Sequence, residues 1–407
     1  MKVYLIKASA GSSYSQYKAE TGGPPQNIFS TAAATPGEVQ LEMADETIGM
    51  KTNMDAAVDL VAVFMSTPDA LRAYEIADGF RARGITVVLG GLHTLACPEE
   101  AWEHADTLLL GEVEGVWEDL LRDHAAGTLK PVYQRKTPVD LSTLKPYPTH
   151  IIPPSRYQYT WSVVVGRGCP NHCGFCTVHR FFESCRFRPV EDVVEEIRQL
   201  KAQGVEWVEL HADNLTADRA YALQLFRALA PLKMKLYGET TVLIARDPVL
   251  MSAARDAGVK ALLFGIETPS PQALESQGKQ FVRPEKIKEY IARVKSYGIE
   301  VWADFLLGFD AHTPEIFQET LAFIKSIKPD RSFEHLVIPF PGTRLFEELD
   351  NEGRILTRDW SQYDGAHVVF TPKQMPPKEL EDGTWWLYKK SQGRLKSLLY
   401  SLIYATD

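Results

Sequence analysis

Strand-length apolar runs punctuate the first part of the chain at residues 3–8, 39–44, 60–65, 86–89 and 107–110. Between the later runs lie helix-length stretches, clearest at 69–83 and 114–125. In the first of these, Leu71, Tyr74, Ile76, Ala77 and Phe80 recur at roughly helical spacing. Strands that are apolar almost throughout predict a parallel sheet covered on both faces. Four of the five runs end in small or turn-forming residues: Asp45, Ser66-Thr67-Pro68, Gly90-Gly91 and Gly111-Glu112. In an open parallel sheet these carboxyl ends are where a ligand is held.

Residues 130–157 carry six prolines, at 131, 138, 146, 148, 153 and 154, which predicts an extended linker. Alternation resumes with strands expected at 161–165, 205–210, 235–237, 261–266, 300–307 and 333–338. The helices expected between them cover 190–203, 217–229, 248–257, 284–297 and 314–327, with Gly204, Gly258 and Gly298 just past three helix ends. Six β/α units are too few for a closed eight-unit barrel, so a partial (β/α)6 barrel is expected. The remaining chain, with Trp360, Trp385, Trp386 and an apolar stretch at 398–404, predicts a packed cap. The expected fold class is therefore α/β. A Rossmann-like doubly wound domain (1–129) leads through the linker (130–157) to the partial barrel (158–345) and a C-terminal helical cap (346–407).

At 45% hydrophobic and 24% charged residues the chain can bury ordinary cores. Its net charge of −9 disfavours a phosphate backbone as partner, so no nucleic acid is expected. No apolar run approaches the ~18 residues of a membrane span, and Lys7 interrupts the run that a secretory signal would need. No membrane association and a cytoplasmic location are expected.

Of five cysteines, Cys169, Cys173 and Cys176 lie within Gly166-Arg167-Gly168-Cys169-Pro170-Asn171-His172-Cys173-Gly174-Phe175-Cys176, directly after the first barrel strand. Thiolates at this spacing on one short loop can converge on a single metal centre. Three donors would leave one iron of a [4Fe–4S] cube open to a non-protein ligand. The alternative is structural zinc, completed by His172 or His179. Cys97 reads as a small buried apolar residue, and Cys185 as a neighbour of the loop.

C-x3-C-x2-C with Phe175 before its last cysteine resembles the signature of the radical S-adenosylmethionine (SAM) superfamily. The resemblance implies that Cys169, Cys173 and Cys176 hold the cube while SAM chelates the open iron. One electron, from a flavodoxin- or ferredoxin-type donor, would then cleave SAM to methionine and a deoxyadenosyl radical. The resemblance also assigns SAM contacts at successive strand ends: Phe175, then His211, Asp213 and Asn214, then Glu239 of Gly238-Glu239-Thr240, then Glu267 of Gly265-Ile266-Glu267. A carboxylate near a ribose suits its two hydroxyl donors. Singly, an acid at a strand end is as often a helix cap or an ion-pair partner. Leu307-Gly308-Phe309-Asp310 and Pro339-Phe340-Pro341-Gly342-Thr343 also look like family landmarks, and are expected to set turns.

A doubly wound domain ahead of such a barrel resembles the cobalamin-binding domain of class B radical SAM methyltransferases. The implied cobalamin contacts are Pro25, Ser66, Thr67, Gly90, Gly91, His93, Gly111 and Glu112. Free-standing cobalamin domains often carry Asp-x-His-x-x-Gly; here Asp45-Glu46-Thr47-Ile48-Gly49 puts Thr47 at the histidine position, which excludes imidazole ligation of cobalt there. The rival reading is a vestigial domain that only docks.

With a [4Fe–4S] cluster, SAM and cobalamin together, the family resemblance implies C-methylation of an unactivated sp3 carbon. The acceptor is expected to be a protein or small molecule; the sequence has the general look of the enzyme that methylates a glutamine of methyl-coenzyme M reductase. Two alternatives stand beside it: a cobalamin-containing radical SAM cyclase that does not methylate, and a corrinoid or iron–sulfur sensor without catalysis.

Overall fold

The structure is a computed structural model that describes residues 1–11, 23–157 and 161–391. The N-terminal unit runs β1 (Lys2–Lys7), α1 (Gln26–Ala34), β2 (Gln40–Asp45), β3 (Leu60–Met65), α2 (Ala70–Arg81), β4 (Thr86–Gly91), α3 (Leu92–Ala96), α4 (Pro98–Trp102), β5 (Thr107–Leu110), α5 (Val116–Ala125) and β6 (Val132–Gln134). All six strands are parallel, in the order β2-β1-β3-β4-β5-β6. Every residue of β3 is buried, as the uninterrupted apolar run required. The chain leaves β1 toward β2 and returns past it to β3. The crevice of this doubly wound sheet therefore opens at the carboxyl ends, between α1 and the turns after β3, β4 and β5.

The second unit comprises β7 (Trp161–Val164), β8 (Gly166–Arg167), α6 (Val178–Phe181), β9 (Arg186–Phe187), α7 (Val190–Ala202), β10 (Trp207–His211), α8 (Arg219–Leu229), β11 (Lys235–Thr240), α9 (Pro248–Ala257), β12 (Val259–Glu267), α10 (Pro271–Ser276), α11 (Pro284–Ser296), β13 (Glu300–Leu307), α12 (Ile316–Ile327) and β14 (Arg331–Leu336). Six parallel strands form the order β14-β13-β12-β11-β10-β7. The outer strands β14 and β7 do not pair among the described residues, so the barrel is partial, as six β/α units predicted. Local chemistry sets the helix ends. The Asp247 side chain accepts from the Val249 and Leu250 amides to start α9. Gly258 ends it at φ 96°, where a Cβ would lie 2.1 Å from the Met234 carbonyl oxygen.

Two features fall outside the sequence reading. β6 lies inside the proline-rich stretch and extends the first sheet. The antiparallel ribbon β8–β9 brackets the cysteine loop. Each has only two or three residues, too few to show a period.

The C-terminal part contributes α13 (Arg344–Asn351), a bridge between Ile355 and Phe370, and α14 (Pro377–Ser391). The apolar stretch at 398–404 lies outside the described residues. This cap ties the two units together: Trp360 is buried, its indole N–H donates to Glu100 Oε1 at 2.8 Å, and its ring meets His93 edge-on at 5.1 Å. Trp386 packs against the core, whereas Trp385 is exposed and stacks on Tyr388.

Candidate active site

The three cysteines sit on one loop between β8 and β9, at the carboxyl mouth of the barrel. The loop is held from several sides. The Gly168 amide donates to Asp213 Oδ2 at 2.6 Å. The Gly174 amide donates to the Gln277 carbonyl at 3.0 Å, and the Gly174 carbonyl accepts from Leu345 at 2.9 Å. A Cβ at Gly174 would lie 2.3 Å from Arg344 and 2.7 Å from Gln277, so a larger residue would push the loop off its seat. Asn171 Nδ2 approaches Cys169 Sγ at 3.5 Å and Asn214 Nδ2 approaches it at 3.9 Å.

Burial pushes the Cys173 thiol up, and pushes Cys176 up to about 12, while Lys279 pulls both down. Without a metal these two sulfurs are neutral thiols, and binding a metal must release their protons. The donor set is soft and sulfur-only, which suits iron–sulfur chemistry. His172 and His179 meet edge-on at 5.6 Å, and His172 is exposed. Among the described residues no set of three or more His, Cys, Asp and Glu side chains, the three cysteines included, is drawn together into a ready-made metal site.

Strand ends bring the remaining groups around this loop. Asp213, after β10, is half-buried; desolvation there raises its pKa, which His211 and the Gly168 amide partly offset. His211 Nδ1 contacts Glu209 Oε1 at 3.2 Å. Burial opposes charge on that imidazole, but Glu209, Asp213 and Glu239 together raise its pKa. Ser162 Oγ donates to Glu209. Asn214 is fixed by Thr240 Oγ1, which donates to its Oδ1 at 3.0 Å, so β10 and β11 support one another here. Glu239 is half-buried, with Tyr237 Oη 3.5 Å from its carboxylate.

Glu267 closes β12 at a bulge, and its backbone adopts φ 66°, a left-handed conformation uncommon for a non-glycine residue. Its carboxylate is buried and ion-paired with Lys279. Burial works against the Lys279 ammonium, yet Glu267 and Cys173 outweigh it and raise its pKa. The same ammonium lies 5.7 Å from the centre of the Phe175 ring, which packs on Phe309 at 5.8 Å. A Cβ at Gly265 would meet Glu267 at 2.4 Å and Lys279 at 2.8 Å. Lys279 is the residue at this site that sequence reasoning missed: it belongs to no quoted motif, and only the fold brings it back to Glu267. The two landmark turns act structurally. Thr343 caps α13 by accepting from Phe346 at 3.2 Å, and Asp310 pairs with Arg354 at 2.6 Å.

The expected cobalamin contacts divide into two groups. Gly91, Gly111 and Glu112 line a small open cleft between the first sheet's carboxyl edge and Phe181 and Phe182 of the barrel unit. Gly91 adopts φ 104° and Gly111 φ 76°, and a Cβ at Gly111 would meet nothing within 4 Å, so backbone is presented to open space there. Pro25 precedes α1, whose first residues Gln26 and Asn27 line the same cleft. Gly90 packs under Phe64, where a Cβ would fall 2.8 Å from the ring. The other three turn inward. Ser66 Oγ donates to Asp69, which is itself paired with Lys7 at 2.8 Å. Thr67 and His93 are buried against each other at 3.3 Å, beneath Trp360. Thr47 donates to Asp45 Oδ1 at 2.6 Å, and Tyr157 donates to Asp45 Oδ2 at 2.7 Å, so the loop that would carry a cobalt-ligating histidine is locked by its own side chains.

The model of the radical SAM superfamily matches residues 163–324. Bacteriochlorophyllide d C-8(2)-methyltransferase of Chlorobaculum tepidum is 30% identical over 84% of this chain and 80% of its own length. The chain belongs to the cobalamin-dependent radical SAM methyltransferase family. Hopanoid C-2 methylase of Rhodopseudomonas palustris is 28% identical over 83% of this chain and 66% of its own length. Among solved structures, the radical SAM methyltransferase TsrM from Kitasatospora setae, with cobalamin and a [4Fe–4S] cluster bound, has the same fold. Its TM-score is 0.70 at 16% identity, over 86% of this chain and 78% of that one. OxsB with aqua-cobalamin gives 0.72 at 15% identity, over 99% of this chain and 71% of that one. The family's cofactors are a [4Fe–4S] cluster, SAM and cobalamin. The sulfur-only loop and the glycine-lined cleft are the places in this chain whose chemistry fits the first and the last. Among the described residues, no helix is long and apolar enough to cross a membrane.

Proposed function

We propose that this protein is a C-methyltransferase acting on an unactivated sp3 carbon. The observation that carries this reading is that the match to a named methyltransferase extends over 84% of the chain, so it includes the N-terminal unit. The match to the anaerobic magnesium-protoporphyrin IX monomethyl ester cyclase of Cereibacter sphaeroides, by contrast, extends over 56%. Bound together, the family's cofactors supply hydrogen abstraction by a deoxyadenosyl radical and a methyl group for the resulting carbon.

This chain's residues hold and shield that chemistry. Cys169, Cys173 and Cys176 would carry the cluster. Asp213 fixes the loop through the Gly168 amide, and Asn214 orients its amide toward Cys169. Glu267 and Lys279 place opposite charges beside the cysteines, where the zwitterionic end and the ribose of SAM require donors and acceptors of both kinds. Phe175 and Phe309 keep water from that corner. Gly111 lets a large flat group approach the sheet edge, and the methyl acceptor would enter between the two units.

The test is anaerobic reconstitution with iron, sulfide and cobalamin, followed by mass spectrometry of acceptors incubated with SAM and reductant. The candidate acceptors are a peptide spanning the methylated glutamine of methyl-coenzyme M reductase, a chlorin and a hopanoid. A gain of one methyl group on one of them, together with deoxyadenosine, supports the reading. Deoxyadenosine with ring closure or no added methyl would favour the cyclase alternative.

A further inference from the structure

The cysteine loop is anchored to the N-terminal unit by a buried ionic cluster that no motif announces. β8 and β9 pair antiparallel, with Arg167 opposite Arg186, so residues 168–185 form one loop whose base carries two arginines. Both reach the same carboxylate, Glu112, in the turn after β5: Arg167 contacts Oε1 at 2.8 Å and Arg186 contacts Oε2 at 3.0 Å. Arg167 also forks onto Glu114 at 2.7 and 3.0 Å, and donates to Ser30 of α1 at 3.1 Å. The ring of Phe182 lies 5.8 Å from its guanidinium carbon. The Arg167 side chain is 3% exposed and that of Glu112 is 8% exposed.

Buried ion pairs contribute little net stability, because desolvation offsets most of their attraction; apolar side chains would join two domains as well. What a planar, forked guanidinium adds is direction. Very little slack separates that fork from the first cluster ligand. Gly168 follows at φ 83°, a Cβ on it would lie 2.3 Å from the Ser184 carbonyl oxygen, and its amide is bonded to Asp213. Cys169 comes next. On the other side, Glu112 and Glu114 flank the cleft that also contains Gly91 and Gly111.

Resting on the family reading above, we propose that Arg167 is a positioning residue. Through Glu112 and Glu114 it sets the distance and orientation of the three-cysteine loop relative to the glycine-lined edge, and so of the cluster relative to the corrinoid.

The experiment uses the full chain, reconstituted anaerobically with cluster and cob(II)alamin. Microwave-power saturation of the cobalt(II) electron paramagnetic resonance signal is compared with the cluster oxidised and with it reduced by dithionite. In the wild type the reduced, paramagnetic cluster is expected to speed relaxation of the cobalt signal. Arg167→Met, with iron and cobalt contents equal to the wild type, is expected to lose that enhancement, and Arg167→Lys to recover only part of it. If Arg167→Met is not recovered folded, the isosteric Glu114→Gln carries the same test with the same expected direction. A variant with wild-type metal contents and an unchanged enhancement overturns the proposal and leaves the family reading intact. A wild-type protein that takes up cluster but no corrinoid overturns the cobalamin reading, and the proposal with it.

Discussion

The ammonium of Lys279 meets the carboxylate of Glu267, a residue the chain holds at φ 66° where β12 bulges. Glu267 is buried and Lys279 half-buried beside Cys173 and Phe175, so a strained backbone position and a largely desolvated charge pair coincide at the candidate SAM site. Such strain persists where surrounding structure imposes it, and it collects at functional sites.

Glu267→Gln is expected to weaken SAM binding by about tenfold or more, measured by anaerobic equilibrium dialysis. It leaves Lys279 without its buried partner, so stability falls as well, by about 3–5 kcal/mol. The double variant Glu267→Gln/Lys279→Met separates the two effects. Stability should return while SAM affinity stays low; full recovery of affinity would mean that Glu267 serves only to neutralise Lys279.

Replacing any one of Cys169, Cys173 or Cys176 by serine should reduce reconstituted iron from about four per chain to well below one, by colorimetric assay. Cys97→Ser and Cys185→Ser should leave the iron content unchanged, although burial pushes the Cys185 thiol up to about 11 and places it near Cys169. Loss of iron in Cys185→Ser would show that the loop has a fourth donor.

His312 supplies a pH dependence. It is buried; Gly308 N–H donates to its Nδ1 at 3.2 Å, so its Nε2–H donates to Thr268 Oγ1 at 3.0 Å, next to Glu267. Burial lowers its pKa from 6.5 to about 3. The unfolded chain therefore takes up this proton first, and stability is lost as pH falls from 6.5 toward 3. Between pH 6.5 and 5 the loss is about 2 kcal/mol. Urea unfolding at the two pH values should show that much less acid sensitivity in His312→Gln than in the wild type.

Trp360→Ala should destabilise the chain by about 3–5 kcal/mol, because it empties a filled site and removes the donor to Glu100. The loss should also expose His93, measurable as faster modification by diethyl pyrocarbonate.

The first sheet was legible because its inner strands are nearly continuous apolar runs closed by Gly or Ser, as at 60–65 and Ser66; the strands of the second are mixed, and showed mainly through their alternation with helix-length segments. The cysteine loop was legible because three soft donors at fixed spacing have few other uses. What was hidden is long-range or short-period. Lys279 and Glu267 meet through the turn after α10; Arg167 meets Glu112 across 55 residues; and β6, β8 and β9 are too brief for any pattern. Ser66, Thr67 and His93 match a motif by position, yet their side chains turn to Asp69 and to each other, with Trp360 packed on His93.

The most direct test is Mössbauer spectroscopy of protein reconstituted with 57Fe, before and after addition of SAM. A [4Fe–4S] cluster on which SAM alters the signal of a single iron site is the expected result. Zinc in place of iron, or a cluster whose irons are all unaffected by SAM, would contradict the account.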